Sequence, residues 1–444
     1  MLNVRQKEVI KRAHELNVRF VRLQFTDILG NFKNLAITIN HLERAFAEGI
    51  LFDGSSIQGF TRIHESDMYL RPDPDTFTIF PWRPTEGGAV ARLICDIYTP
   101  QGEPFAGCPR HILRRVLAEA KEMGYSLYVG PEPEFFLFET DEKGRPTKDT
   151  IDTGSYFDLS PLDRGEDARR DIVITLEEMG MQIESSHHEV APGQHEIDLH
   201  FTDGLSAADN FVTFKFVTKA IAKKHHLHAT FMPKPFFGEN GSGLHLHQSL
   251  YQNEVNVFAD PDDEMGLSTI ARHYIAGLLQ HAPALCALGN PTVNSYKRLV
   301  PGYEAPVDIT WSDRDRSTLI RIPSAGGLST RVELRSPDPA ANPYLIIAAA
   351  LKAGLDGIEK KLNPGKPILE SAYELSPEER HKLGIGNLPG SLREALDCLA
   401  NDPALREMLG EHTYDHYMEA KLIEWEVYRT QVHHWETEQY LGTI

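Results

Sequence analysis

The segment Ser185-Ser186-His187-His188-Glu189-Val190-Ala191-Pro192-Gly193-Gln194-His195-Glu196-Ile197-Asp198 packs three histidines and three carboxylates around a Pro-Gly break. Charge concentrated this way asks for a counter-charge between the two arms. A Pro-Gly turn can fold both arms back to one point, so Glu189 and Glu196 could hold a cation between them. A lone histidine is more often a hydrogen-bonded core or surface group than a ligand. His187, His188 and His195 therefore read as structural or supporting groups.

Three other stretches carry related chemistry. In Gly130-Pro131-Glu132-Pro133-Glu134-Phe135-Phe136-Leu137-Phe138, strand alternation puts Glu132 and Glu134 on one face, where they repel unless a cation separates them. Asn240-Gly241-Ser242-Gly243 leads into a strand on which His245, His247 and Ser249 share a face, and its glycines leave backbone N–H groups open to an anion. Arg331-Val332-Glu333-Leu334-Arg335 alternates most sharply, with Arg331, Glu333 and Arg335 on one side. Arg298, Arg314, Arg316 and Arg321 lie close by in sequence. Such arginine density in an acidic chain points to a polyanionic ligand, because the guanidinium fork grips carboxylate and phosphate oxygens and stays charged.

Glu132, Glu134, Glu189, Glu196, Glu333 and His245 form an oxygen-rich set suited to Mg²⁺ or Mn²⁺ rather than structural zinc. Six protein ligands suit two or three ions rather than one. Cations with arginines supply the charge neutralisation and alignment that phosphoryl transfer needs. No Walker-type phosphate loop, kinase catalytic motif or HExxH zinc motif occurs. Two classes stay open on the residues alone. One is an ATP-dependent ligase or kinase of unusual fold, which the arginines favour; the other is a binuclear metallohydrolase.

The bulk properties set the frame for these groups. At 444 residues the chain exceeds one ordinary domain, so two unequal domains are expected. Hydrophobic residues at 41% and charged residues at 25% give the balance of a globular enzyme. A net charge of −19 argues against direct nucleic-acid or membrane binding. The first residues lack the apolar core of a signal peptide, and the longest apolar run, near 344–351, is too short to span a bilayer. Cys95, Cys108, Cys286 and Cys398 are scattered, as for free thiols in a reducing cytoplasm.

The elements that must position the site divide near 99–109, where Pro and Gly punctuate the chain. Residues 1–104 read as a small mixed sheet, with strands over 18–25, 32–39, 76–80 and 89–98 and helices over 4–16 and 41–48. Residues 105–444 read as a larger region that alternates strands and helices. A helix over 109–123 opens on Pro109 and is closed by Gly124. Strands follow at 126–130, 132–138, 194–200, 229–233, 243–250, 319–322 and 330–336, with helices at 166–179, 207–224, 267–281, 343–361 and 392–399. The last helix, over 404–428, is long enough to be broken. The irregular connections argue against a doubly wound nucleotide-binding sheet.

Taken together these motifs resemble the bacterial glutamine synthetases of type I. The resemblance rests on Asp53-Gly54-Ser55-Ser56, Gly130 to Glu134, His188 to Glu196, Lys234-Pro235 with Asn240 to Gly243, Asn290-Pro291-Thr292-Val293-Asn294-Ser295-Tyr296-Lys297-Arg298, and Arg331 to Tyr344, and so spans nearly the whole chain. It implies a small N-terminal β-grasp domain, a large catalytic α+β domain, and a dodecamer of two stacked hexameric rings with shared active sites. It implies ATP-dependent joining of glutamate and ammonia through a γ-glutamyl phosphate.

Residue by residue, Glu134, Glu189 and Glu196 resemble the ligands of the ion nearer glutamate, and Glu132, His245 and Glu333 those of the ion on the ATP phosphates. Asn240, Gly241, Arg298 and Arg335 match glutamate contacts, and Arg316 matches a contact shared between glutamate and phosphate. Arg321 and Arg331 match the phosphate side, and Glu184, His247 and Ser249 the ATP site. Asp53, lent by a neighbouring subunit, matches the residue that binds and deprotonates ammonium, and Glu304 matches the loop that closes over the acyl phosphate.

The chain is similar to the short, feedback-inhibited I-alpha subgroup, in which an arginine matching Arg62 is needed for inhibition by glutamine and a transcription regulator can be a partner. Tyr373 falls near the tyrosine adenylylated in the longer subgroup, whose extra segment this chain lacks. A ligase for another amine, or a catalytically silent ring, are the competing expectations.

Overall fold

The computed structural model describes residues 2–55, 57, 67–83, 86–324, 326–368 and 375–444, so Arg62 and Tyr373 lie outside the described residues. The N-terminal part begins with helix α1 (Val4–Glu15), whose Asn3 cap accepts from the Gln6 N–H. Strands β1 (Val18–Thr26) and β2 (Phe32–Thr38), helix α2 (Leu42–Glu48), and strands β3 (Ile50–Asp53), β4 (Asp67–Pro72), β5 (Thr78–Ile79) and β6 (Ala89–Tyr98) follow. They form a six-stranded sheet in the order β2-β1-β6-β4-β3, with β5 beside β6. The β1–β6 pair is parallel and the rest antiparallel, so the sheet is mixed as expected. Val21, Leu23, Leu70, Leu93 and Ile97 pack its core against Val9 and Ala13 of α1. The sequence reading contains neither β3 nor β4.

Helix α3 (Pro109–Glu122) leads into the larger sheet. In chain order come β7 (Ser126–Thr140), β8 (Pro146–Thr150), α4 (Glu166–Glu178), β9 (Ile183–His188), β10 (Gln194–Leu199), β11 (Thr202–Asp203), α5 (Gly204–Lys224), β12 (Leu227–Thr230), β13 (Leu244–Gln252) and β14 (Val255–Asn256). Helices α6 (Thr269–Gly289) and α7 (Ser295–Arg298), strands β15 (Trp311–Ser312), β16 (Ile320–Arg321) and β17 (Val332–Leu334), and helices α8 (Pro343–Glu359), α9 (Pro377–Leu383), α10 (Leu392–Ala400), α11 (Pro403–Arg429) and α12 (His434–Tyr440) complete the chain. The eleven-stranded sheet runs β15-β16-β17-β13-β7-β10-β9, and β8, β11 and β12 also pair with β7. It is antiparallel except for β15–β16, consistent with the expectation that no doubly wound fold is present.

Two expectations are corrected. The strands expected at 126–130 and 132–138 are one strand, β7, despite Pro131 and Pro133. The Glu134 N–H donates to the Gly243 carbonyl next to β13, so by alternation the two prolines turn their nitrogens to the opposite edge. That edge is unpaired between Val129, where β11 bonds, and Glu134, where β10 begins, so no ladder bond is lost. The helix expected to stop at 281 runs on through Pro283 to Gly289. Burial of Leu278, Leu285 and Leu288 outweighs the missing donor. Gly410 does break α11, with φ 72 and ψ 159.

The two parts meet through buried polar contacts. Arg110 of α3, 3% exposed, donates to Asp209 of α5 (2.7 Å), to Asp96 of β6 (3.0 Å) and to Asp73 (2.8 Å). The Tyr344 hydroxyl donates to the same Asp209 at 2.7 Å. Asn342, which caps α8, donates to the carbonyls of Asp27 and Ile28 in the β1–β2 turn. Arg110→Met removes the ion-pair partner of Asp209. It is expected to cost about 3–5 kcal/mol, because breaking a buried pair strands the other charge. The measurement is the urea unfolding midpoint; an unchanged midpoint would contradict this reading.

Candidate active site

Sheet register builds the site. Across β7 and β13, Glu132 faces His245; across β13 and β17, His247 faces Glu333; across β7 and β10, Glu134 faces Glu196. Directly opposed residues share a face with Cβ atoms about 5 Å apart, so neighbouring strands pool their charges. Glu189 joins from the turn after β9, where its N–H donates to the Gln194 carbonyl at 2.8 Å. Gly193 makes that turn at φ 65, and a Cβ there would stand 2.8 Å from the Leu137 carbonyl. The six residues expected as metal ligands therefore do converge, and all line one cavity of about 880 Å³.

His245 Nδ1 lies 3.6 Å from Glu132 and 3.8 Å from Glu333, and its Nε2 lies 3.9 Å from Glu134. His187 Nε2 lies 2.9 Å from Glu189 and 3.4 Å from Glu196. Gln194 Nε2 and the Gly243 N–H donate to Glu134 Oε2 at 2.7 and 3.0 Å. Glu333 is neutralised by Arg321 and Arg335. Among the described residues, Glu134, Glu189 and Glu196 have only histidines as ion-pair partners.

The electrostatics follow from this crowding. Burial, then the neighbouring Glu189, pushes Glu134 up to about 8. Burial, then Glu134 and Asp198, raises Glu196 well above the carboxylate range. Burial would also raise Glu189, but hydrogen bonding to His187 leads the effects that bring it below its usual value. For Glu333 burial is outweighed by Arg335, His247, His245 and Arg321, which bring it to about 2. Burial, then Arg335, lowers His245 and favours the neutral imidazole that a metal ion requires.

Buried carboxylates that raise one another, beside a neutral histidine, fit a hard divalent cation. Combinations of Glu132, Glu196 and His245, of His187, Glu189 and Glu196, and of Glu132, His247 and Glu333 each bring ligand atoms within 4.8 Å of one another.

The other expected residues divide between two cavities. Asn240, Gly241, Arg298, Glu304, Arg316, Arg321 and Arg335 line the charged one, whereas Arg314 does not. Gly241 must lack a side chain, since a Cβ would sit 2.3 Å from the Pro233 carbonyl. Glu304 holds φ 57, a left-handed conformation that a non-glycine residue enters at a cost of about 1–2 kcal/mol. Glu184, His247, Ser249 and Arg331 line an adjacent cavity of about 630 Å³, walled by Tyr128, Phe201 and Tyr251. Glu132 and Asp198 border both. Asp53 ends β3 and accepts from the Ser55 N–H; it lines neither cavity.

Several groups escaped the sequence reading. Tyr128 and Tyr251 were within its reach, because alternation puts them on the faces of Glu132 and Ser249. His188 and His195 are buried and hydrogen-bonded to Asp152 and Arg169, which come from outside the motif. Asp198, in the opening motif, becomes a wall shared by both cavities.

Glu134 titrates in the window where a proton and a cation compete for it. Raised above its unfolded value of about 4.5, it favours the metal-free fold at low pH, and that contribution is lost as pH rises through about 8. At a fixed Mn²⁺ concentration, the gain in melting temperature over the metal-free protein is therefore expected to grow from pH 6 to pH 8. A gain independent of pH would contradict competition at Glu134.

Comparison with known proteins gives the family. Residues 17–100 match the glutamine synthetase β-grasp domain and residues 106–440 the glutamine synthetase catalytic domain. The chain is 54% identical over 442 residues to the glutamine synthetase of Clostridium saccharobutylicum, covering 100% of both chains. It is 55% identical over 437 residues to that of Staphylococcus aureus strain N315, covering 98% of each. Among solved structures, the GmaS/ADP complex superposes with a TM-score of 0.89 at 35% identity, over 98% of this chain and 99% of that one. Plasmodium falciparum glutamine synthetase superposes with a TM-score of 0.87 at 27% identity, over 99% of each. With both domains matched along nearly its full length, the chain belongs to the glutamine synthetase family of ATP- and metal-dependent ligases.

Proposed function

We propose that this chain joins ammonia to the γ-carboxylate of L-glutamate, consuming ATP and passing through γ-glutamyl phosphate to glutamine, ADP and phosphate. One observation carries the reading: a carboxylate-rich cavity with arginine on its walls shares Glu132 and Asp198 with an aromatic-walled cavity beside it. The first suits an acidic substrate and the second a nucleoside, with phosphate transfer where they adjoin. Asn240, Gly241, Arg298 and Arg335 hold glutamate, and Arg316, Arg321 and Arg331 take the phosphates. Glu184, His247 and Ser249 take the rest of ATP. Glu134, Glu189 and Glu196 would hold one Mg²⁺ or Mn²⁺, and Glu132, His245 and Glu333 another. Bound there, such ions supply neutralisation and alignment of phosphate and carboxylate oxygens. Glu304 shields the reactive anhydride from water.

Asp53 binds ammonium and takes its proton. Its place outside both cavities of the candidate site in its own chain supports a site completed by a second subunit, as in a dodecamer of two hexameric rings. The proposed domains are residues 1–104 and 105–444. No helix among the described residues is long and apolar enough to cross a membrane, and all four cysteines are free, which supports a cytoplasmic enzyme.

The test measures phosphate release with ATP, glutamate and Mg²⁺ or Mn²⁺, adding ammonium or a panel of other amines. Release that requires ammonium is expected; release that prefers another amine, or ignores all of them, would overturn the reading. Glutamine is proposed as a feedback inhibitor acting through Arg62. Arg62→Ala is expected to keep most turnover and lose much of the inhibition in a steady-state assay, and unchanged inhibition would refute this.

A further inference from the structure

Lys234 stands outside the groups assigned so far, although it is 8% exposed and close to the charged cavity. Its main chain is clamped by one side chain. The Lys234 N–H donates to Asn294 Oδ1 at 2.8 Å, and its carbonyl accepts from Asn294 Nδ2 at 3.0 Å. Its ammonium donates to the Glu239 carbonyl and stands 3.7 Å from the centroid of the Tyr303 ring. Among the described residues no carboxylate lies within ion-pair distance of it.

A largely buried ammonium of this kind is held by a carbonyl dipole and by the negative face of a ring. Both contacts lead to the site. Glu239 directly precedes Asn240 and Gly241, and Tyr303 directly precedes Glu304. Asn240, Gly241, Tyr303 and Glu304 all line the charged cavity. The loop carrying Glu304 is otherwise lightly supported. Gly302, Tyr303 and Glu304 are not buried, and Glu304 keeps its left-handed φ of 57 without a glycine's freedom. Such a conformation persists where its surroundings determine it.

We propose that Lys234 is a positioning residue that fastens the 302–304 loop to the 239–241 segment, so that Glu304 and Asn240 meet the substrate as one unit. The inference rests on the ligase reading and adds to it a group that need not touch the substrate. Its chemistry requires a cation on one side and an aromatic ring on the other.

The test uses the full chain with Lys234→Met, Lys234→Arg, Tyr303→Leu, Tyr303→Phe and the double variant Lys234→Met/Tyr303→Leu. A cation–ring contact in a largely desolvated setting is worth about a factor of ten, so Lys234→Met and Tyr303→Leu should each raise the KM for glutamate by about that much. Each should also raise the fraction of phosphate released without amide formation. Tyr303→Phe and Lys234→Arg, which keep the ring and the charge, should recover most of both effects. The double variant should be no worse than either single one.

A merely structural lysine would lower kcat with the folded fraction, leave KM and coupling alone, and add to the effect at Tyr303; that outcome overturns the proposal. Hydrogen exchange across 301–305 is read on the same unliganded variants. Faster exchange in both Lys234→Met and Tyr303→Leu supports the fastening, and wild-type exchange in either overturns it. Because exchange needs no substrate, it separates failure of this inference from failure of the ligase reading, which would appear as absence of ammonium-dependent phosphate release in the wild type.

Discussion

Mutual repulsion among buried carboxylates is the constraint on which this structure turns. Glu134 and Glu196 oppose each other across β7 and β10, and Glu189 comes up from the turn beside them. A sheet cannot relieve that repulsion by a small slip, since a shift of one residue sends every side chain to the other face. Arginine relieves it only in part: Arg298 draws Glu134 down against burial and Glu189, but its guanidinium donates to the carbonyls of Arg335, Ser336 and Pro337, and Arg321 and Arg335 pair with Glu333. What remains is a fixed set of oxygens oriented by Gln194, His187 and the Gly243 N–H, with a charge deficit that a divalent cation would fill.

The division of labour between sheet and loops follows from this. The carboxylates and the imidazole sit on strands or on a tight turn, where register sets their spacing. The groups proposed to contact substrate sit largely on loops and strand ends, as Asn240, Gly241, Glu304 and Arg316 do. Loops can adapt to a ligand that arrives and leaves, whereas a cluster of like charges has to be held. The N-terminal sheet is tied to this scaffold through Arg110 and Asn342, which gives Asp53 a fixed place relative to the catalytic region.

Much of the site was legible in the sequence because its groups lie in short alternating stretches. Period-two alternation suffices to pair Glu132 with Glu134, or His245 with His247 and Ser249. What alternation cannot supply is which strands lie side by side. That Glu134 meets Glu196, and His247 meets Glu333, depends on long-range register. Alternation alone cannot separate the two cavities either, with Arg331 in one and Arg335 in the other; only the family resemblance assigned Arg331 to phosphate and Arg335 to glutamate.

Local rules failed where context overrode them. The strands expected at 126–130 and 132–138 join into one, because an unpaired edge tolerates Pro131 and Pro133. The helix expected over 267–281 runs on past Pro283, because its burial outweighs one lost donor. The buried layer of Asp152, Asp163 and Arg169 behind His188 and His195 left no sequence signal, because Asp152 lies 36 residues from His188 and Arg169 lies 26 from His195.

The central claim is that the carboxylate face exists to hold divalent cations. Anomalous diffraction from crystals grown with Mn²⁺ tests it most directly. The account predicts separate peaks among Glu134, Glu189 and Glu196 and among Glu132, His245 and Glu333. A well-ordered cavity with no anomalous peak at saturating Mn²⁺, its glutamates paired instead with protein cations, would contradict it.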